Sequence, residues 1–162
     1  MILWPKLEAF TREYPDVSLD VTIDDSQVDL VAHRFDAGIH IGEFIQQDMV
    51  VTRVSPDQRP AVVGAPSYFT RHSIPKSPRD LTEHECIGYR LGTAGTYRWE
   101  FEKQSQEFAV DVTGPLVVDD LALMIRAAIA GLGLAFVAFE QCVFADIQSG
   151  RLRIWPARWP LT

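Results

Sequence analysis

The chain has few of the residues that build disulfide frameworks and metal centres. It has two cysteines, Cys86 and Cys142, which lie far apart and outside any C-x-x-C pair. That usage supports neither a disulfide framework nor a zinc site. The histidines are His33, His40, His72 and His84. None stands at H-E-x-x-H or a similar ligand spacing, so we expect no metal and no cofactor.

Basic charge is also scarce. Lys and Arg number 15 against 22 Asp and Glu, which gives a formal net charge of -7. Proteins that grip a phosphate backbone usually carry a clustered basic face, so we do not expect this segment to bind DNA itself. No stretch approaches the roughly 20 apolar residues needed to span a bilayer, and no signal-peptide pattern opens the chain. We therefore expect no membrane partner and a cytoplasmic location.

Local catalytic motifs are absent as well. The sequence has no G-x-S-x-G elbow, no Walker A loop, and no nucleophile beside an evident base at a diagnostic spacing. Folding can still assemble catalytic residues from distant segments, so this lowers the case for an enzyme without excluding one. We name no catalytic residue.

One glycine motif resembles part of a dinucleotide-binding loop. Gly131 and Gly133 form a G-x-G, but they follow a predicted helix and precede a predicted strand. A dinucleotide-binding fingerprint needs the opposite order, with the strand first. The glycines are better interpreted as a helix stop followed by a tight turn.

The first third of the chain combines helical and strand patterns. Apolar residues from Ile2 to Tyr14 recur at helical spacing, and residues 17–23 then alternate with the period of a half-buried strand. Residues 24–26 offer caps for a short helix that ends near Arg34. Strands are predicted at 35–41, which would pair in parallel with 17–23, and at 50–54.

The remaining chain continues the alternation. Strands are predicted at 61–63, 86–89, 98–101, 108–112, 116–118, 134–138 and 152–155, and helices begin at Pro66, Leu121 and Phe139. The helix over 121–129 is so apolar that it must be covered on most sides. The whole pattern predicts an α/β fold.

Two polar segments allow more than one interpretation. Asp119 and Asp120 directly precede a helix, where acids usually cap the first turn, although a pair of carboxylates can also divide acid and base work. The loop over residues 92–96 is small and rich in hydroxyls. It is either an anion-binding loop or a plain connector.

Many short segments, in one order along nearly the whole chain, resemble the effector-binding domain of LysR-type transcription regulators. They are residues 7–10, 14–17, 28–32, 35–43, 62–69, 80–81, 84–87, 99–101, 130–135 and 150–152, with Pro75 and Pro78. Each segment alone is weak, but the ordered set is specific.

The resemblance implies a fold like that of type 2 periplasmic binding proteins, with two α/β lobes, mixed sheets and a small-molecule cleft between the lobes. Lobe one would comprise residues 1–56 and 139–162, and lobe two residues 57–138. Open α/β sheets also bind ligands beyond the carboxyl ends of their strands, which points to the same cleft.

Residues just past predicted strand ends are the candidates for contact with an effector. They are Ile41, Gly42 and Glu43 on lobe one, and Gly64, Ala65, Tyr68, Tyr89, Arg90 and Asp119 on lobe two. Strand-end loops also serve ordinary structural purposes, so each of these residues has an alternative as loop or cap. His40 stands where many relatives carry arginine, so a charge contact from that position does not carry over.

The resemblance also implies partners. We expect a small-molecule effector, an organic acid or an aromatic compound, and a homodimer that becomes a tetramer in the full-length protein. The apolar faces of residues 3–14 and 121–129 are the candidate surfaces for self-association. DNA would be bound only through an N-terminal domain, because the family's winged helix-turn-helix and linker helix have no counterpart here.

The family's first lobe-one strand and its final helix are also missing from the pattern, so we expect a fragment of a longer protein. The alternatives are an extracytoplasmic solute-binding protein, which would need an export signal, and a two-lobed transferase.

Overall fold

The computed structural model describes residues 3–24, 29–39, 50–55, 59–92, 95–103 and 106–155. The helices are α1 (Trp4–Glu13), α2 (Pro66–Phe69), α3 (Leu121–Ile129) and α4 (Phe144–Gln148). The strands are β1 (Ala61–Gly64), β2 (Cys86–Leu91), β3 (Gly95–Thr96), β4 (Trp99–Lys103), β5 (Gln106–Val110), β6 (Leu116–Val118), β7 (Leu134–Val137) and β8 (Arg153–Ile154). Within these ranges no helix has the length and apolar character to cross a membrane.

A six-stranded mixed sheet organises the fold. β2 lies between β6 and β7 and is parallel to both, while β1 lies between β7 and β8 and is antiparallel to both. β3 turns back against the carboxyl end of β2. The sheet therefore has strands of both directions, so the carboxyl ends of β1 and β2 lie at opposite edges.

Side chains alternate across this sheet and build two cores. On β1, Val63 enters the core that contains α3, whereas Val62 enters a second core on the other face. β7 repeats the alternation with Ala135 and Phe136. Because both faces of these strands are covered, β1 and β7 are buried along their whole length.

The two faces have different covers. Met124 and Ala128 of α3 pack on one face together with Val143 and Leu152, so the segment around α4 belongs to this layer. The other face is covered by α2, by a 3-10 helix (Pro78–Glu83) and by the antiparallel β4–β5 hairpin, which adds its aromatic side chains. A hydrogen bond of 2.6 Å from Trp155 Nε1 to the Pro75 carbonyl also lies within the protein.

The predicted glycine turn after α3 is confirmed. α3 ends at Ile129, and Gly131 adopts φ +75, a left-handed conformation that favours glycine at a helix end. A Cβ on Gly133 would lie 2.6 Å from the Glu85 carbonyl oxygen, so the backbone of this turn passes too close for any side chain. β7 begins one residue later, in the order helix, glycines, strand.

The predicted strands in the first third of the chain are not formed in the described residues. Residues 17–23 and 50–54 lack strand structure, as do residues 35–39, the described part of the predicted 35–41 strand. Their apolar side chains are exposed, with Ile23 at 86% and Val50 at 100%. A strand needs a neighbour to complete its ladder of hydrogen bonds, and no pairing among the described residues involves these segments. The alternating pattern alone does not supply that neighbour.

The predicted short helix ending near Arg34 is a hydrogen-bonded turn instead. The Asp29 side chain accepts from the backbone N–H groups of Val31 and Ala32, and the Phe35 N–H donates to the Leu30 carbonyl. Arg34 adopts φ 59, which breaks the helical path. Of the residues 24–26 that were expected to supply a cap, Asp25 and Ser26 lie outside the described residues.

The chain after the predicted boundary at residue 138 continues in the same sheet. Val63 of β1 pairs with Ile154 of β8, and the Trp155 N–H donates to the Val62 carbonyl. The helix expected over 139–147 is a short 3-10 helix (Glu140–Cys142) followed by α4. The described part of 139–155 is therefore integral to the layer that carries β1 and β7.

Candidate functional site

The carboxyl ends of β2 and β6 form one edge of the sheet. The two strands are parallel, with Tyr89 in register with Val118, so the residues that follow them emerge together. The Tyr89 hydroxyl donates a 3.2 Å hydrogen bond to the Asp119 backbone carbonyl. Two predicted site residues that are 30 positions apart in sequence are thus joined. We call this edge, with Tyr89, Arg90 and Asp119, the β2–β6 edge.

The adjacent acids at this edge have different roles. Asp120 is the N-cap of α3, and its Oδ1 accepts a 2.6 Å hydrogen bond from the Leu123 backbone N–H. The capping interpretation is therefore confirmed for Asp120. The Asp119 side chain is exposed, and it is the Asp119 carbonyl that Tyr89 engages. Its carboxylate remains accessible at the end of β6.

Arg90 is exposed and follows Tyr89 on β2. Successive residues of a strand point to opposite faces of the sheet. The side chains of Arg90 and Tyr89 therefore leave this edge on opposite faces. Arg90 pairs with Thr96 of β3, which runs antiparallel to β2. Gly92 and Gly95 carry positive φ values of 41 and 93. The connector interpretation of residues 92–96 fits this antiparallel pair.

Gly64 and Ala65 lie at the opposite edge. Because β1 runs antiparallel to β2, its carboxyl end lies beside Leu134, near the amino end of β2. A Cβ on Gly64 would lie 2.7 Å from the Leu134 side chain, and Ala65 is 2% exposed. Cys86 and Tyr89 are separated along β2 by about 10 Å at the usual rise per residue. One small ligand at the β2–β6 edge is not within contact of Gly64.

Tyr68 shares the edge of Gly64 and is fully buried. Its hydroxyl lies 3.0 Å from Nδ1 of His84 and accepts a 3.1 Å hydrogen bond from the Glu85 backbone N–H. Desolvation by burial raises the pKa of Tyr68 to about 12. The structure thus places Tyr68 in the protein core rather than in an open cleft.

A pairing of Tyr68 with His84 was not predicted from the sequence. The two residues stand 16 positions apart. No local spacing marks them, because the contact depends on α2 packing against the segment before β2. No group of three metal-ligating side chains occurs among the described residues.

The two cysteines are free thiols. Burial raises the pKa of the Cys86 thiol to about 12 and also raises the pKa of Cys142. Thiols of raised pKa are poor nucleophiles at neutral pH, so a packing role suits both cysteines better than a reactive one. The lobe-one candidates Ile41, Gly42 and Glu43, together with His40, lie outside the described residues.

Comparison with known proteins identifies the family. A family model described as the LysR substrate binding domain matches residues 1–162. A Pseudomonas aeruginosa protein named as a transcriptional regulator is 40% identical over 153 residues, which cover 93% of this chain and 49% of that protein. The transcriptional regulator PgrR of Escherichia coli is 38% identical over 154 residues, covering 94% of this chain and 52% of PgrR. The chain spans about half the length of the curated relatives it matches.

Solved structures have the same fold. Full-length AphB of Vibrio cholerae superposes with a TM-score of 0.80 at 18% identity, over 99% of this chain and 53% of AphB. CrgA of Neisseria meningitidis superposes with a TM-score of 0.81 at 19% identity, over 99% of this chain and 53% of CrgA. The expected two-lobed fold of the periplasmic-binding type, with mixed sheets, is confirmed.

The relatives named here are transcriptional regulators, which favours that class over a solute receptor or a transferase. The match of the family model over residues 1–162, the identity to these regulators and the shared fold agree with one another. The chain belongs to the LysR family, and its residues 1–162 match that family's substrate-binding domain.

Proposed function

We propose that this domain senses a small-molecule effector at the β2–β6 edge and passes the signal to the rest of a longer regulator. The observation that carries the proposal is the bond from Tyr89 to the Asp119 carbonyl, which ties the end of β2 to the start of α3. A ligand at this edge touches two strands and a helix at once. A change in the spacing of β2, β6 and α3 would therefore shift the layer that α3 forms on the sheet.

The exposed polar groups at this edge suit a small organic acid or an aromatic compound. Arg90 offers a guanidinium that can bind a carboxylate through two parallel hydrogen bonds. The Tyr89 ring is half-buried and packs against the core that contains α3, so it offers an apolar surface beside its hydroxyl. Ile41, Gly42 and Glu43 are proposed as the contacts from lobe one, taken as residues 1–56; the described part of 139–155 is grouped with lobe two, because β8 pairs with β1.

The mechanism is a shift between two lobe arrangements. An effector that binds one arrangement more tightly than the other increases its population, and the change reaches attached DNA-binding domains. The acidic chain has a formal net charge of -7, so DNA contact is assigned to a segment outside it. The regulator would act in the cytoplasm, and its sensing step requires no covalent chemistry.

Self-association through α1 and α3 is part of this proposal. α1 has no buried residue, and Trp4 and Phe10 are 56% and 38% exposed. On α3, Leu123 is 49% exposed, whereas Met124 is buried. The apolar face of α1, packed against α3 of a second copy, would remove these side chains from water in a homodimer, and the full-length protein would form a tetramer.

A thermal-shift screen of small organic acids and aromatic compounds tests the proposal. A compound that binds the folded domain raises its Tm in proportion to the logarithm of its concentration. Arg90→Ala should weaken the response to acids at least about tenfold, as expected for loss of a charged hydrogen bond. Arg98→Ala is the matched control, because Arg98 is also exposed but lies on the hairpin and pairs with Asp111. If every hit binds Arg90→Ala and the parent chain equally, the site is not at this edge.

A further inference from the structure

A cluster of three rings lies at the edge opposite the proposed effector site. Tyr68 and His72 stack with centroids 4.3 Å apart at an interplanar angle of 15°. His84 lies with its ring centroid 6.0 Å from Tyr68 and 6.4 Å from His72, and it is 8% exposed. These three residues, the histidine cluster, join α2 and the turn after it to the segment that leads into β2.

The hydrogen bonds of the cluster suit a neutral His84. Tyr68 keeps its proton at neutral pH because burial raises its pKa to about 12. Its oxygen accepts from the Glu85 backbone N–H, and Nδ1 of His84 lies 3.0 Å from that oxygen. The His84 tautomer with its hydrogen on Nε2 lets Nδ1 accept from the phenol. Burial also lowers the pKa of His84, which favours this neutral form at neutral pH.

Protonation of His84 converts this contact into two donors facing each other. The imidazolium would carry a hydrogen on Nδ1, and the Tyr68 hydroxyl would also point its hydrogen at that atom. Either the phenol turns away without an acceptor or the two rings separate. The charge would also lie in a buried site beside a second imidazole, that of His72.

Other titratable groups around the cluster shift the pKa of His84, some upward and some downward. Burial and His72 lower the pKa of His84, whereas the nearby carboxylates of Asp80 and Glu83 raise it, and the net shift is downward. The pKa of Tyr68, which burial raises, is also affected by Glu85, Cys86 and Arg71. Among these groups the acids moderate the shift, but they do not reverse it.

We propose that the histidine cluster is a pH-sensitive latch, which holds α2 against the segment before β2 while His84 is neutral and releases it when His84 is protonated. Acid would then loosen one face of this domain without any effector. The latch lies at the opposite edge from Tyr89 and Asp119, so this proposal is tested independently of the proposed effector site.

The direction of the pH effect follows from the lowered pKa. An unfolded chain protonates its histidine as the pH falls below about 6.5, while the folded domain resists protonation until a lower pH. The unfolded state therefore binds more protons in this window. The stability contributed by neutral His84 is complete above the unfolded pKa and declines as the pH falls toward the folded pKa.

Thermal unfolding of the chain between about pH 7.5 and 5.5 tests the latch. The Tm of the parent chain should fall on the order of 3 °C or more across this range. In His84→Gln, an amide oxygen can still accept from Tyr68 but does not titrate, so at least half of the fall should disappear. His33→Gln is the matched control, because His33 is exposed and lies outside the cluster. It should retain the parent profile.

Amide hydrogen exchange on the unaltered chain gives a second result if His84→Gln does not fold. The Glu85 amide, which donates to Tyr68, should lose protection at least about tenfold on acidification, after correction for the intrinsic pH dependence of exchange. The Ala135 amide of the central strand β7 should keep its protection. The proposal is overturned if His84→Gln follows the parent pH profile, or if Glu85 stays as protected in acid as at neutral pH.

Discussion

The Tyr89 hydroxyl lies 3.2 Å from the backbone carbonyl oxygen of Asp119 and donates a hydrogen bond to it. This contact joins the end of β2 to the residue that precedes the cap of α3. It fixes the position of the Asp119 carbonyl, while the carboxylate stays exposed.

Tyr89→Phe removes that bond and keeps the ring. We expect a loss of about 1 kcal/mol in the free energy of unfolding, measured by urea denaturation, together with weaker binding of any effector found by screening. Tyr97→Phe is a matched control, because the Tyr97 hydroxyl donates to Glu100 on the hairpin. It should lose a similar hydrogen bond but bind the effector normally. Equal affinities for the two variants would contradict a role for Tyr89.

Substitutions at Asp119 and Asp120 should have separate effects, one on effector binding and the other on stability. Asp120→Ala removes the cap of α3 and should lower the free energy of unfolding by about 1 kcal/mol with little effect on effector affinity. Asp119→Ala should leave the stability almost unchanged, because the exposed Asp119 carboxylate accepts no capping hydrogen bond among the described residues. It should change effector affinity, with tighter binding of an acid once the like charge is removed. Denaturation and calorimetric titration of both variants measure the two effects. If Asp119→Ala is the less stable of the pair, the assignment of the cap is wrong.

Gly133→Ala tests the close turn before β7. Its Cβ would meet the Glu85 carbonyl at 2.6 Å, and a backbone atom cannot move aside as a flexible side chain can. We expect a loss of about 1–3 kcal/mol in the free energy of unfolding. Gly150→Ala is the comparison, since it has φ +73 but open space around it, and it should cost only about 1 kcal/mol. A Gly133→Ala variant as stable as the parent would show that this turn tolerates a side chain.

Leu123→Glu tests the proposed self-association. A charge at this exposed position of α3 should weaken a dimer built on that face, because burying an unpaired carboxylate is costly. Sedimentation velocity should show a shift from dimer to monomer. Gln106→Glu adds the same charge to the exposed hairpin and should leave the dimer intact. If both variants sediment like the parent chain, α3 is not the dimer surface.

Local patterns predicted the elements whose partners lie in the described sheet. The run at 134–138 and the helix over 121–129 were predicted correctly because their apolar periodicities correspond to real burial, in β7 and α3. Residues 17–23 show an equally regular alternation but form no strand, and Val17 and Val21 are 47% and 54% exposed. A period of two indicates that a segment could form a strand. The strand forms only where a neighbouring strand completes its ladder of hydrogen bonds.

The candidate site illustrates the same limit. Sequence pattern places both Gly64 and Tyr89 near strand ends. Gly64 does end β1, whereas β2 continues past Tyr89 to Leu91. Sequence pattern does not report strand direction, and β1 runs antiparallel to β2. That single topological fact separates Gly64, Ala65 and Tyr68 from the β2–β6 edge.

The most direct test of effector sensing at the β2–β6 edge is an NMR titration of the isotope-labelled chain with a compound that raises its Tm. We predict that the backbone amide resonances of Tyr89, Arg90 and Asp119 shift together with one dissociation constant, while those of Gly64 and Ala65 stay in place. Shifts confined to Gly64, Ala65 and their neighbours, with the β2–β6 edge unchanged, would contradict the account.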